Sequence, residues 1–112
     1  MKSLFYVIMS RRVIVMKRED FILTIGYSGD TALVDGRARK EYARLSVQEL
    51  TEKGLWRAAF CAALFDENRE GMDLVVENYN RRSGAHLRSV QDMKRMLGVY
   101  DVPADISKVK IL

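Results

Sequence analysis

The sequence predicts an α+β fold in which a mainly antiparallel sheet, about four to five strands in residues 4–44, precedes three helices packed on one face. Three observations predict it. Short β-branched and aromatic runs separated by turn residues fill the first part of the chain. A capping-box pattern then marks the change to helical spacing. The composition, 48% hydrophobic and 30% charged over 112 residues, is typical of a single globular domain spanning residues 1–112.

Four of the predicted strands come from apolar runs near the start of the chain. Residues 4–9 and 13–17 predict a hairpin, and residues 21–27 predict a third strand. The tripeptide Ser28-Gly29-Asp30 is typical of a turn, since its glycine adopts positive φ without strain. Residues 31–34 then predict the fourth strand.

A fifth strand is predicted at residues 37–44, after an Asp35-Gly36 pair that is typical of a hairpin turn. This segment carries charge on both faces, which suits a strand at the edge of a sheet. Basic side chains there discourage pairing with other molecules, so they have a structural explanation that involves no ligand.

The helical part of the chain begins with Ser46 and Glu49, which fit a capping box as N-cap and third helical residue. The apolar run 55–65 predicts a central buried helix and includes Trp56, for which a core role is favoured over a partner contact. Asn68 is the expected N-cap of the next helix.

The last helix is predicted over residues 85–97, with Gly98 as its C-terminal stop. Met72, Val75, Val76 and Tyr79 of the preceding helix keep the spacing of one buried face. In the tail, Val109 and Ile111 alternate with lysines, which favours a return to the sheet.

The net charge of +4 is unevenly distributed along the chain. Residues 1–45 hold nine basic against five acidic side chains, and residues 81–112 hold seven against three. Residues 46–80 hold three against seven. Basic turns interspersed with aromatic residues favour contact with nucleic acid or another polyanion, because phosphate neutralisation needs several cations on one surface. The candidate contacts are Arg11, Arg12, Lys17, Arg37, Arg39, Lys40, Arg81 and Arg82.

Two alternative binding roles compete with this prediction. A helix-turn-helix reading of residues 72–97 would present Arg88, Gln91 and Arg95 to DNA, although solvated arginines on an amphipathic helix give the same pattern. A protein-interaction or structural module, in a homodimer for example, would use a sheet edge or the acidic helix face, with the basic turns serving solubility.

Catalytic and metal chemistry find little support in the sequence. Cys61 lies in an apolar run without cationic neighbours, so it is expected to be a buried, unreactive thiol. His86 is the only histidine, which rules out metal sites built from several histidines. We therefore predict a non-enzymatic domain without a cofactor or metal. The single cysteine and the absence of a long apolar run predict a cytoplasmic protein that does not enter a membrane.

Overall fold

A computed structural model describes residues 16–112, and in that range six helices and three strands follow the chain. Helices α1 and α2 flank the first two strands, and α3 to α6 precede the last strand. The elements are α1 (Arg18–Phe21), β1 (Thr24–Ser28), β2 (Thr31–Val34), α2 (Gly36–Tyr42), α3 (Val47–Glu52), α4 (Trp56–Phe65), α5 (Arg69–Ser83), α6 (Val90–Leu97) and β3 (Lys108–Ile111).

The sheet has the order β1-β2-β3, so the prediction of four to five strands in residues 4–44 is wrong. Strand β1 pairs antiparallel with β2, whereas β3 pairs parallel with β2. The predicted hairpin falls mostly on residues 1–15, which lie outside the described range. Lys17, at its predicted end, is the residue that precedes α1. The return of the tail to the sheet is confirmed, with Val109 opposite Ala32 and Ile111 opposite Val34.

The predicted fifth strand, residues 37–44, is helical over most of its length. Asp35 acts as a helix N-cap instead of a hairpin turn, because its side chain accepts a hydrogen bond from the Ala38 N–H at 3.1 Å. Arginine, lysine, alanine and glutamate, which fill the segment, are all good helix formers. The structure also needs glycine at position 36, since a Cβ there would lie 2.5 Å from the Leu112 carbonyl oxygen.

Helices α3 and α5 begin at the caps that the sequence predicts, but the helices of the described residues are more numerous than the three expected. Ser46 and Glu49 form both hydrogen bonds of the capping box at the start of α3. Asn68 accepts from the Gly71 N–H and caps α5. Helix α6 begins after Ser89, later than predicted, and the side chain of Ser89 accepts from the Asp92 N–H. The residues between Gly84 and Ser89 are not helical, so the connection between α5 and α6 is longer than the short turn of the helix-turn-helix interpretation.

Buried side chains from the sheet and the helices form one apolar cluster. Helix α4 supplies its centre, with the residues from Ala59 to Ala63 buried as expected for this run. Ala32 and Val34 of β2 pack against it from the sheet. Among residues 16–112, no helix is both long and apolar enough to cross a membrane.

Candidate nucleic-acid interface

The exposed face of α2 and its C-terminal flank carries three basic side chains. Arg37 and Lys40 are one turn apart in α2, Arg44 lies two residues beyond its last residue and lines one cavity with Lys40, and all three are exposed. None of them forms an ion pair within residues 16–112. Glu41 shares this face, so the four side chains together carry a net charge of +2. We call Arg37, Lys40 and Arg44 the cationic stripe.

Arg39 lies on the same helix but is engaged inside the protein. Its Nε donates to the Asp20 carboxylate at 2.7 Å, and its Nη2 lies 3.7 Å from Glu19. The Asp20 side chain is only 8% exposed, so this guanidinium neutralises a carboxylate that has little access to water. Arg39 therefore holds α2 against α1. Its guanidinium is occupied by these carboxylates, unlike the exposed side chains of the cationic stripe.

The basic pair at the end of α5 is also committed to the fold. Arg82 Nη1 donates to the carbonyl oxygens of Thr51 and Glu52 at 3.0 and 3.2 Å, at the C-terminal end of α3. Its guanidinium also lies 5.0 Å from the centre of the Trp56 ring. Arg81 hydrogen-bonds to Asn78 on its own helix. Arg82 therefore supports the packing of α3, α4 and α5, whereas the hydrogen bond of Arg81 stays within α5.

A groove of about 300 Å³ opens beside α2, and Trp56 of α4 forms part of its wall. Ala38 lies on the α2 side of the groove, next to Arg37 in the chain. Arg57 also lines the groove, and its Nη1 donates to the Thr24 carbonyl oxygen at 2.8 Å. We call this the Trp56 groove; its lining residues are Ile22, Leu23, Thr24, Ile25, Asp35, Ala38, Leu55, Trp56, Arg57 and Ala58.

The eight predicted contact residues therefore do not share one surface. Arg11 and Arg12 lie outside the described residues, and Lys17 is exposed at the start of α1. Only Arg37 and Lys40 lie together on the cationic stripe, whereas the remaining three are the engaged arginines Arg39, Arg81 and Arg82.

Sequence reasoning missed Arg44 and Arg57. A helical interpretation of residues 36–44 would have found Arg44, because it completes the i, i+3, i+7 spacing. No local sequence signal identifies Arg57, since its position at the groove depends on the packing of α4 against β1.

Reactive groups elsewhere in the described residues are few. Burial raises the pKa of the Cys61 thiol to about 11, so this side chain is protonated and a poor nucleophile at neutral pH, as expected. His86 is exposed. Within residues 16–112, no three histidine, cysteine, aspartate or glutamate side chains are grouped so that they could hold a metal ion. Comparisons with protein-family models, with curated proteins and with solved structures found no match to this chain.

Proposed function

We propose that this protein is a non-enzymatic binding domain that contacts nucleic acid or another polyanion through the cationic stripe of α2. The observation that carries the proposal is that Arg37, Lys40 and Arg44, on α2 and its C-terminal flank, are exposed and form no ion pair within the described residues. Arg37 and Lys40 are one turn apart in α2, and Arg44 follows two residues after its last residue, Tyr42. Neighbouring exposed cations of this kind can neutralise phosphates along one backbone.

The structural contacts of the other basic residues support this choice of surface. Arg39 and Arg82 already bind a buried carboxylate and helix-end carbonyl oxygens, so their removal should disturb the fold before it disturbs binding. Lys110 on β3 lies two residues before Leu112, whose carbonyl oxygen packs on Gly36 at the start of α2. A further exposed lysine thus lies near one end of the cationic stripe. A cytoplasmic location, where nucleic acids are available, belongs to this proposal.

A salt titration of binding tests the proposal directly. We would measure fluorescence anisotropy of labelled single-stranded and duplex RNA and DNA, from about 20 to 200 mM salt, for the wild-type chain and for R37Q/K40Q/R44Q. Loss of up to three phosphate contacts should lower the slope of log affinity against log salt by about 2 to 3. Binding that is absent at low salt would contradict the proposal.

A matched control separates the cationic stripe from net charge. Lys53, Arg69 and Arg88 are exposed and form no ion pair within residues 16–112, and K53Q/R69Q/R88Q removes the same three charges. This control should retain most of the wild-type slope. Glu41→Gln should act in the opposite direction and tighten binding, because it removes the one anion of the helix face. Equal losses in the two triple variants would indicate diffuse attraction and no defined surface.

A second candidate function is protein interaction through strand β1. Among the described residues, β1 pairs only with β2, and Ile25 and Tyr27 on this strand are 63% and 41% exposed. An unpaired strand edge with exposed apolar side chains is suited to pairing with a strand of a partner or of a second copy. Light scattering over a range of protein concentrations tests for a homodimer. A monomer at every concentration would exclude it.

A further inference from the structure

We infer that the cavity between α1 and the C-terminal end of α2 holds one internal phosphodiester group of a nucleic acid backbone, bound by Lys40 and Arg44. This inference rests on the proposed function and names the chemical group that the surface recognises. It depends on three features of the cavity: two cations that line it, the carboxylates beside them, and the composition of the rest of its wall.

The cavity has a volume of about 430 Å³ and is lined almost entirely by charged side chains. Lys40 and Arg44 are exposed, and neither forms an ion pair within residues 16–112. A guanidinium offers paired N–H donors that match two phosphate oxygens, and an ammonium adds a compact charge. These two side chains therefore suit one shared phosphate group. We call this the Lys40 cavity; its lining residues are Glu19, Arg39, Lys40, Ala43 and Arg44.

Two carboxylates limit the positive charge of the Lys40 cavity. Arg39 Nε donates to Asp20 at 2.7 Å, so these two side chains form a neutral pair in the wall. Glu19 lies 3.7 Å from Arg39 Nη2, which is too long for a hydrogen bond, and its carboxylate lines the cavity. The three cations of the lining, together with Glu19 and Asp20, leave a net charge of +1.

A net charge of +1 discriminates between phosphate groups by their own charge. An internal phosphodiester carries one negative charge, whereas a terminal phosphate carries about −1.5 to −2 at pH 7. The diester neutralises the cavity. The additional charge of a terminal phosphate finds no further cation among the lining residues and meets Glu19 instead. Glu19 is therefore a specificity-determining residue that disfavours terminal phosphates.

The rest of the wall favours contact with the backbone and not with the bases. Ala43 is the one uncharged residue among those that line the Lys40 cavity, and none of the lining residues is aromatic. A base would find no ring to stack on there, whereas backbone phosphates are the same at every position of a sequence. We therefore expect binding with little sequence preference and without a requirement for unpaired bases.

Two small ligands that differ only in phosphate charge test the discrimination. We would titrate the intact, ¹⁵N-labelled chain, by nuclear magnetic resonance at about pH 7.5, with a nucleoside 5′-monophosphate and with its monomethyl ester, a phosphodiester. The amide signals of Lys40, Ala43 and Arg44 should shift with the ester. The ester should bind about fivefold more tightly than the monophosphate, because it brings less negative charge to Glu19.

Glu19→Gln tests the residue that is expected to discriminate. Glutamine keeps the size of the side chain, removes its charge and leaves the pair between Arg39 and Asp20 in place. E19Q should bind the monophosphate about tenfold more tightly than the wild type does and lose the preference for the ester. Glu41→Gln is the matched control, because Glu41 is exposed on α2 but does not line the cavity, and it should affect both ligands alike.

Lys40→Gln and Arg37→Gln test the cavity with a polymer. The two residues are one turn apart on α2 and each substitution removes one positive charge, but only Lys40 lines the cavity. In anisotropy titrations with a labelled oligonucleotide, K40Q should lower the affinity about tenfold, the usual effect of losing a charged hydrogen bond. R37Q should lower it by only about two- to threefold, as expected for a more distant charge.

The outcomes separate this inference from the proposed function. The inference would be overturned if the monophosphate bound as tightly as its ester, if the amides of Lys40, Ala43 and Arg44 did not shift, if E19Q kept the ester preference, or if K40Q bound the oligonucleotide as tightly as R37Q. Oligonucleotide binding with a steep salt slope would still leave polyanion binding intact. No oligonucleotide binding at low salt would overturn both. An ester preference that E19Q abolishes and E41Q retains would support a phosphodiester in the Lys40 cavity.

Discussion

The basic residues of α2 and those at the end of α5 differ in what surrounds them in the fold. Arg82 satisfies carbonyl oxygens at the end of α3 and covers Trp56, so the protein itself is its ligand. Arg37 and Lys40 project from a helix whose other side faces the core, and they form no ion pair in the described residues.

The difference comes from what surrounds each cation. The last carbonyl groups of a helix lack partners within that helix, and α3 ends where α5 passes, so an arginine there gains hydrogen bonds from folding. Arg39 shows the same principle within α2, since the low exposure of Asp20 requires a cation beside it. Positive charge is therefore available to a ligand where the fold has no acceptor of its own nearby.

The largest expected effect that follows from this comparison is the loss of stability in Arg82→Ala. Two carbonyl oxygens would lose a charged donor and Trp56 would lose its cation, for a combined cost of about 2 kcal/mol. Urea unfolding should show this loss, and Arg81→Ala, the adjacent control, should stay within about 0.5 kcal/mol of the wild type. Equal effects of the two variants would contradict the structural role of Arg82.

A somewhat smaller loss is expected for Arg39→Gln. Glutamine would leave the Asp20 carboxylate without its cation. Because the Arg39 side chain is 35% exposed, the expected loss of unfolding free energy is about 1 to 2 kcal/mol, which is less than for a fully buried pair. Arg37→Gln, two residues away, should change the free energy of unfolding by less than about 0.5 kcal/mol. The comparison between ligand-facing and structural cations would fail if R37Q destabilised the protein as much as R39Q.

The ends of several later helices were predictable from the sequence, whereas the helical structure of α2 was not. Ser46, Asn68 and Gly98 carry local signals for helix ends, and each acts as predicted. Asp35-Gly36 is ambiguous, because an aspartate before glycine suits a hairpin turn and an aspartate before good helix formers suits an N-cap. The packing of Leu112 on Gly36 accompanies the helical outcome, and such a contact between residues far apart in sequence cannot be read locally.

The candidate site shows the same limit. Composition and charge clusters identify Arg37 and Lys40, but they give equal weight to Arg39 and Arg82, because the partners of those arginines come from other elements. Trp56 lies in an apolar run and does pack on the core, as predicted. Its place in the wall of the groove depends on how α2 and β1 sit beside α4, which periodicity does not report.

The two ends of α3 extend the comparison to a smaller effect. Arg82 holds the C-terminal end with a permanent charge, whereas Ser46 holds the N-terminal end by accepting the Glu49 N–H at 3.1 Å. Ser46→Ala should lower the free energy of unfolding by about 1 kcal/mol, the usual cost of losing an N-cap. Ser46→Asp, which keeps an acceptor, should recover most of this loss in the same urea titration; a failure to recover would argue against capping as the cause.

The smallest expected effect is a pH dependence confined to the N-terminal end of α3. Hydrogen bonds from the Ser46 backbone N–H and side chain lower the pKa of Glu49, so its carboxylate stabilises the fold above the pKa of the unfolded chain. This contribution is lost as pH falls through the lower folded pKa. Glu49→Gln should therefore be less stable than the wild type near pH 7 and equal to it near pH 2, by urea unfolding. Arginine side chains stay protonated over this pH range, so the difference in unfolding free energy between R82A and the wild type should persist at pH 2. If both variants instead became equal to the wild type at pH 2, general acid unfolding would explain the result better than titration of the cap.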